Sequence, residues 1–168
     1  LVVYSDQEEP GLVQAQQEMA RWLEDKLPRR TIVTRLTHHR AFRWRTPQWA
    51  WWWRVAFHIH THYPPGRYVA LVRGAGGFAS GQTTTAWPWK VAVLGDWCID
   101  GITTDSYPAD MPADHFLRLF NPRRSQIGSA LHEWSHTFGA QHPPPTVDGN
   151  HLLMAAFWNW PDVELPRE

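Results

Sequence analysis

The sequence predicts an α/β (α+β) fold, a sheet backed by helices. Three observations carry that prediction. The chain opens as strand, helix, strand. Short apolar runs of strand length then follow, separated by glycine and proline. Finally, a helical stretch places His132 and His136 one turn apart. With 168 residues the chain is long enough for one compact domain that buries about 70% of its unfolded surface.

Leu1 to Tyr4 is a short apolar start that suits a strand. Pro10-Gly11 opens a helix in which Leu12, Ala15, Met19, Trp22, Leu23 and Leu27 recur at helical spacing, and Pro28 ends it. Thr31 to Leu36 alternates and is rich in β-branched residues, which predicts the second strand. A parallel pair joined in this way implies a right-handed crossover. His38 to Arg45 is basic and loop-like. Thr46-Pro47 is a helix start, with threonine as cap and proline at the first position. From Gln48 to His62 apolar residues are too dense for period alone to separate helix from strand. A helix is preferred, because Pro64-Pro65-Gly66 ends it before a clear strand. The alternative is a strand over Val55 to Tyr63.

Arg67 to Arg73 is a buried strand. Gly74 to Gly77 is a turn that lacks the Gly-Lys-Ser/Thr ending of a phosphate loop. Phe78 to Trp87 fits an exposed edge strand, stopped by Pro88. Lys90 to Ile99 is another strand and holds Cys98 as a small buried residue. Gly101 to Pro122 is a loop with Asp105, Asp110 and Asp114. The next helix begins at Arg123 or Ser125 and turns Ile127, Ala130 and Leu131 to the core. After His142, three prolines stiffen the chain into an extended linker.

Residues 130 to 142 hold the chemistry. They read H-E-x-x-H-x-x-G-x-x-H, with His132, Glu133, His136, Gly139 and His142 in the five fixed places. On a helix His132 and His136 share a face, and two imidazoles on one face can grip one zinc ion. Glu133 sits beside that metal without having to bind it. Gly139 breaks the helix, since glycine accepts a left-handed conformation cheaply. The chain then returns His142 as third ligand, which leaves a fourth position open.

The long motif resembles that of the metzincin clan of zinc endopeptidases. The resemblance implies a twisted mixed sheet backed by helices, an active-site helix and a short C-terminal subdomain with a methionine turn. On that reading, 1–168 is a single catalytic domain, with 1–139 as N-terminal subdomain and 140–168 as C-terminal subdomain. Met154, in Leu152-Leu153-Met154-Ala155-Ala156, takes the place of the clan's methionine beneath the zinc. One catalytic zinc is implied on His132, His136 and His142. Peptide hydrolysis would proceed by a zinc-activated water, with Glu133 as general base and then acid. Peptides would pair with an edge strand, for which Phe78 to Trp87 is the candidate. The chain departs from the pattern in three places. Ala156 stands where several metzincins carry a tyrosine, so no phenol acts from there, and Phe157 with Trp158 would make the pocket for the residue after the cut apolar. Trp134 and Ser135 replace the usual Leu-Gly between the histidines. The helix at Gln48 to His62 is additional to the simplest members.

Other readings are weaker. A zinc-bearing binding or scaffold protein that has lost catalysis would be marked by loss of Glu133, which is present. His58, His60 and His62 would share a face on a strand and suggest a second zinc, whereas on a helix only His58 and His62 align. Asp96, Asp100, Asp105 and Asp110 suggest calcium but do not follow an EF-hand spacing and read as solvated carboxylates. Neither second metal is favoured. His151 is not counted as a ligand. Lysines plus arginines equal aspartates plus glutamates, so overall charge points to no nucleic acid. No apolar run reaches membrane-span length. The expected partner is a peptide or protein substrate, and the expected state is a monomer. One cysteine allows no internal disulfide. The chain begins at Leu1 without a signal-peptide pattern, the expectation for a mature or trimmed form. A secreted location rests on the resemblance alone. Twelve tryptophans, five of them between Trp44 and Trp53, suggest either a bulky core or a carbohydrate- or lipid-binding surface.

Overall fold

The computed structural model describes residues 1–27, 35–43, 45–81, 89–144 and 152–165. Among these residues five strands form one mixed sheet: β1 (Val2–Tyr4), β2 (Thr37–His39), β3 (Gly66–Val72), β4 (Ala79–Gly81) and β5 (Trp89–Leu94). Their spatial order is β2-β1-β3-β5-β4. The first four in that row are parallel, and β4 lies antiparallel to β5 at one edge. The helices are α1 (Leu12–Lys26), α2 (Trp51–His62), α3 (Asp96–Thr104), α4 (Pro122–His136) and the single turn α5 (Leu153–Ala156). Among the described residues, no helix is long and apolar enough to cross a membrane.

The two-residue period of the strands divides the core. Val3, Leu71 and Leu94 point to one face, where α1, α3 and α4 pack through Leu12, Leu23, Ile99, Ile127 and Leu131. Val2, Tyr4, Ala70, Val72, Val91 and Val93 point to the other. That face is covered by α2 through Trp51, Val55, Ala56 and Ile59. Burial on both faces explains why these strands read as continuous apolar runs.

Several elements differ from the sequence expectation. The second strand is Thr37–His39, which starts just past the expected strand and runs into the His38 to Arg45 stretch read as a basic loop. Residues 31–34 of the expected strand lie outside the described part. Parallel pairing of β2 with β1 decides its position, with Val2 opposite Thr37 and Tyr4 opposite His39. The expected strand Lys90 to Ile99 stops at Leu94. Gly95 then starts α3, whose Cys98, Ile99 and Ile102 are buried. The apolar run continues into the first turn of the helix, and the four residues from Asp96 to Ile99 are too few to show a helical period. The expected loop from Gly101 therefore begins inside α3, and it holds a further 3-10 turn at Phe116–Leu119. Pro47, not Thr46, stands at the cap of the 3-10 turn Gln48–Ala50 that leads into α2. The Thr46 hydroxyl instead accepts a hydrogen bond from Arg54. The helix reading of 48–62 holds. Of the expected edge strand, 82–88 lie outside the described residues.

The aspartates read as solvated loop carboxylates are structural. Asp96 accepts from the backbone N–H of Gly74 and Gly76, so it ties the glycine turn to α3. Asp100 pairs with Arg73, whose guanidinium also grips Glu9 with two bonds of 2.7 Å. Burial alone would raise the Glu9 carboxyl, but the Arg73 and Ser5 hydrogen bonds outweigh it and hold it below its ordinary value. Asp105 accepts from Arg123 N–H and Asp110 from the Trp97 indole.

Candidate metal centre

Helix α4 positions the centre. Its start is specified locally: Asn121 caps it by accepting from Arg124 N–H, and Pro122 fills the first turn. Ile127, Ala130 and Leu131 pack into the core and fix the rotation of the helix. That rotation leaves His132 and His136 together on one face. Trp134 packs against the rim of the same core, edge-on to Phe138 at 4.6 Å. Ser135 is buried, and its hydroxyl donates to Leu131 C=O at 2.8 Å, so it needs no other partner. The helix ends at His136, and Gly139 takes φ +88°, the left-handed break that the motif predicts.

Past that break His142 meets the helical pair. Ligand atoms of His132, His136 and His142 all lie within 4.8 Å of one another, and their ring centroids are 4.9, 4.9 and 5.0 Å apart. This is a group that could hold a metal ion. Each ring has its Nδ1 against a backbone carbonyl. His132 Nδ1 lies 3.2 Å from Leu153 O, His136 Nδ1 2.7 Å from Ala140 O, and His142 Nδ1 3.0 Å from Met154 O. A carbonyl only accepts, so in each ring Nδ1 carries the proton and Nε2 keeps a lone pair. Burial, with repulsion from His136 and His142, lowers the His132 pKa to about 4. Its neutral, metal-binding form therefore holds at ordinary pH.

Two of the three carbonyls come from α5, at the residues around Met154. Met154 itself is buried. Its backbone carbonyl is what meets the site, at His142 Nδ1. Sequence reasoning missed this role for Leu153, Met154 and Ala140, because any residue offers a carbonyl and no side chain signals it. It also missed two glycines. A Cβ on Gly81 would run into Glu133 O and come within 2.8 Å of His136 Cβ, and one on Gly128 would run into Phe157 O. These glycines let β4 cross one side of α4 and the C-terminal segment cross another.

Glu133 follows the first histidine. Burial raises its pKa to about 7, against the opposing pull of the Gly81 backbone N–H and of His142. Beside it opens a cavity of about 260 Å³, walled by Phe78, Trp97, Phe116 and Phe157. Trp158 packs behind Phe116 and Phe120.

The other candidates do not form a centre of this kind. The histidines of α2 follow helical geometry: His58 and His62 stack, while His60 lies edge-on to Trp89. Among the described residues, His132, His136 and His142 are the group of three or more histidines, cysteines or carboxylates within metal-binding reach. His151 lies outside the described residues.

Fold and site together define the class: a mixed α/β architecture with three histidines gathered at its central helix, two of them on α4 and His142 past the glycine break. Among solved structures the chain is similar to an archaemetzincin from Methanopyrus kandleri. The TM-score is 0.51 at 15% identity, over 92% of this chain and 78% of that one. No family model matches the chain, and no curated protein does.

Proposed function

We propose that this protein is a zinc-dependent endopeptidase. The observation that carries the reading is the convergence of three histidines whose Nδ1–H groups are all held by backbone carbonyls, with a buried carboxyl one residue from the first. The donor set suits zinc: three neutral imidazoles, fixed by outer hydrogen bonds, with no fourth protein ligand in reach among the described residues. Zinc, when bound there, supplies Lewis acidity and lowers the pKa of a water. The remaining chemistry belongs to the chain. Glu133, poised near neutrality, accepts a proton from the attacking water and passes it to the leaving amine. Met154 and Gly139 support the ligands rather than react. The aromatic cavity beside Glu133 takes an apolar side chain after the scissile bond, and β4 offers main-chain pairing to an extended substrate. The protein acts as a monomer on peptides or proteins.

The retained Glu133 favours this reading over a zinc-bearing scaffold without catalysis. A peptide-library digest tests it, run with and without chelator and followed by mass spectrometry. Chelator-sensitive cleavage before apolar residues is expected. A zinc-loaded protein that cuts nothing would leave the scaffold reading.

A further inference from the structure

The tryptophan-rich stretch is not used by the metal centre, which lies on the opposite face of the sheet. In α2 and the turn before it, Trp51, Val55, Ala56 and Ile59 cover the sheet. A second aromatic row points outward: Trp49 is 77% exposed, Trp53 59% and Phe57 66%. The spacing of four residues puts them along one ridge. Large aromatic side chains in water are costly, and three in a row mark an interaction surface.

Charge tells what surface would meet it. Between Asp25 and Asp96 the chain has no acidic residue, yet eleven of its sixteen lysines and arginines fall there. The balanced net charge hides this division. The interval contains α2 and four of the five strands, whereas α1, α3 and the segment before α4 carry carboxylates. Some of the cations are neutralised internally, as Arg73 is by Glu9 and Asp100. Arg40, Arg43 and Arg45 are exposed. They lie in the segment that flanks α2, because Phe42 sits under the Arg54 guanidinium at 4.5 Å and Thr46 accepts from Arg54. The exposed aromatic ridge therefore has an arginine margin and no carboxylate in its own stretch of chain.

We infer that this ridge docks the protein on an anionic lipid surface. Tryptophan and phenylalanine enter the headgroup and upper acyl region, and the arginines meet lipid phosphates and carboxylates. A carbohydrate platform would need several carboxylates or amides beside the rings, and in this stretch of chain the charged residues are arginines and Gln48 is the one amide. A single nucleic-acid strand is held in a groove with bases on flat aromatic faces, and this surface is a convex helix. The docked molecule holds its metal centre on the side away from the lipid.

Co-sedimentation with vesicles decides the matter. The protein should pellet with phosphatidylcholine–phosphatidylserine vesicles and not with phosphatidylcholine alone, and the bound fraction should fall as salt rises. Trp53→Ser with Phe57→Ser should weaken binding at least about ten-fold, from the apolar burial lost. Replacing Arg40, Arg43 and Arg45 by Gln should cost roughly five-fold per residue. Trp49→Ser, at the most exposed position, supplies a second aromatic variant should the double one melt early. Chelator should leave vesicle binding unchanged, which separates this surface from the peptidase reading. The inference is overturned if the parent ignores phosphatidylserine vesicles at low salt, or if folded aromatic variants bind like the parent. It is equally overturned if a single-stranded oligonucleotide binds with the same aromatic dependence while vesicles do not.

Discussion

Among the described residues, two histidine groups contain a pair four residues apart on a helix. His132 and His136 stand perpendicular, at 4.9 Å and 89°. His58 and His62 stack, at 4.1 Å and 14°. Each pair gains a third histidine from elsewhere, His142 in the first group and His39 of β2 near His58 in the second. Spacing is therefore common to both, and the hydrogen bonds differ. In the first group three outside carbonyls take the three Nδ1 protons. In the second, His58 Nδ1 bonds Tyr4 Oη at 2.9 Å, His39 Nε2 bonds Tyr63 Oη, and His62 Nδ1 turns back to His58 O of its own helix. The lone pairs of the second group do not converge. A helical pair of histidines becomes a metal centre when other segments fix the outer nitrogens.

The largest expected effect comes from removing a ligand. His142→Ala should abolish tight zinc binding, a greater loss than the ~10–100-fold typical of an outer-shell change. His58→Ala and His62→Ala should leave zinc stoichiometry as in the parent. Metal analysis after dialysis against a weak chelator reads all three, and equal loss in both groups would end the distinction. Glu133→Gln should keep the zinc and lower peptide turnover at least ~10²-fold, the lower range for lost acid–base help. Retained turnover would remove Glu133 from its role.

Substitution of Met154 tests whether the first group rests on a floor there. Met154→Ala should cost roughly 2–5 kcal/mol, as for a buried side chain cut back to Cβ. Met154→Leu nearly conserves volume and should cost less than ~1.5 kcal/mol. Zinc affinity should follow stability in the alanine variant, because the backbone that holds His132 and His142 shifts with the lost packing. Melting curves with zinc titration compare the two. A Met154→Ala protein that melts and binds zinc like the parent would show that this residue is no support.

Acid sharpens the comparison further. Burial, then repulsion from His62 and His39, lowers the His58 pKa to about 4. The folded state thus resists the proton that the unfolded chain accepts from about pH 6.5. The stability contributed by neutral His58 is full above that pH and is lost as pH falls toward 4. Metal-free protein should show a falling urea midpoint over this interval, through His58 and also His132. His58→Gln should flatten part of the fall, and an unchanged slope would assign it to other groups. The smallest effect is expected at His62→Gln, an exposed position, within about ±0.5 kcal/mol by urea titration.

The sequence by itself determined the parts whose signals are local. The motif from His132 to His142 names its candidate ligands because helical geometry dictates which residues share a face. Gly139 marks the break because other residues resist its backbone angle. The periodic apolar residues from Leu12 to Leu23 reveal α1, since one face of that helix stays wet. Tertiary structure alone decided the rest. β2 lies at Thr37–His39 because β1 pairs with it there, and no side chain announces a register. The boundary between β5 and α3 was hidden in the pattern because β5 is buried on both faces and the first turn of α3 continues its apolar run through Trp97, Cys98 and Ile99. The carbonyls of Leu153, Met154 and Ala140 orient the histidines, and a peptide carbonyl is the same in every residue. Gly81 and Gly128 are required only where another backbone crosses α4. Side-chain identity encodes what a residue can do, whereas the partners that fix a ring or a strand arrive from segments far along the chain.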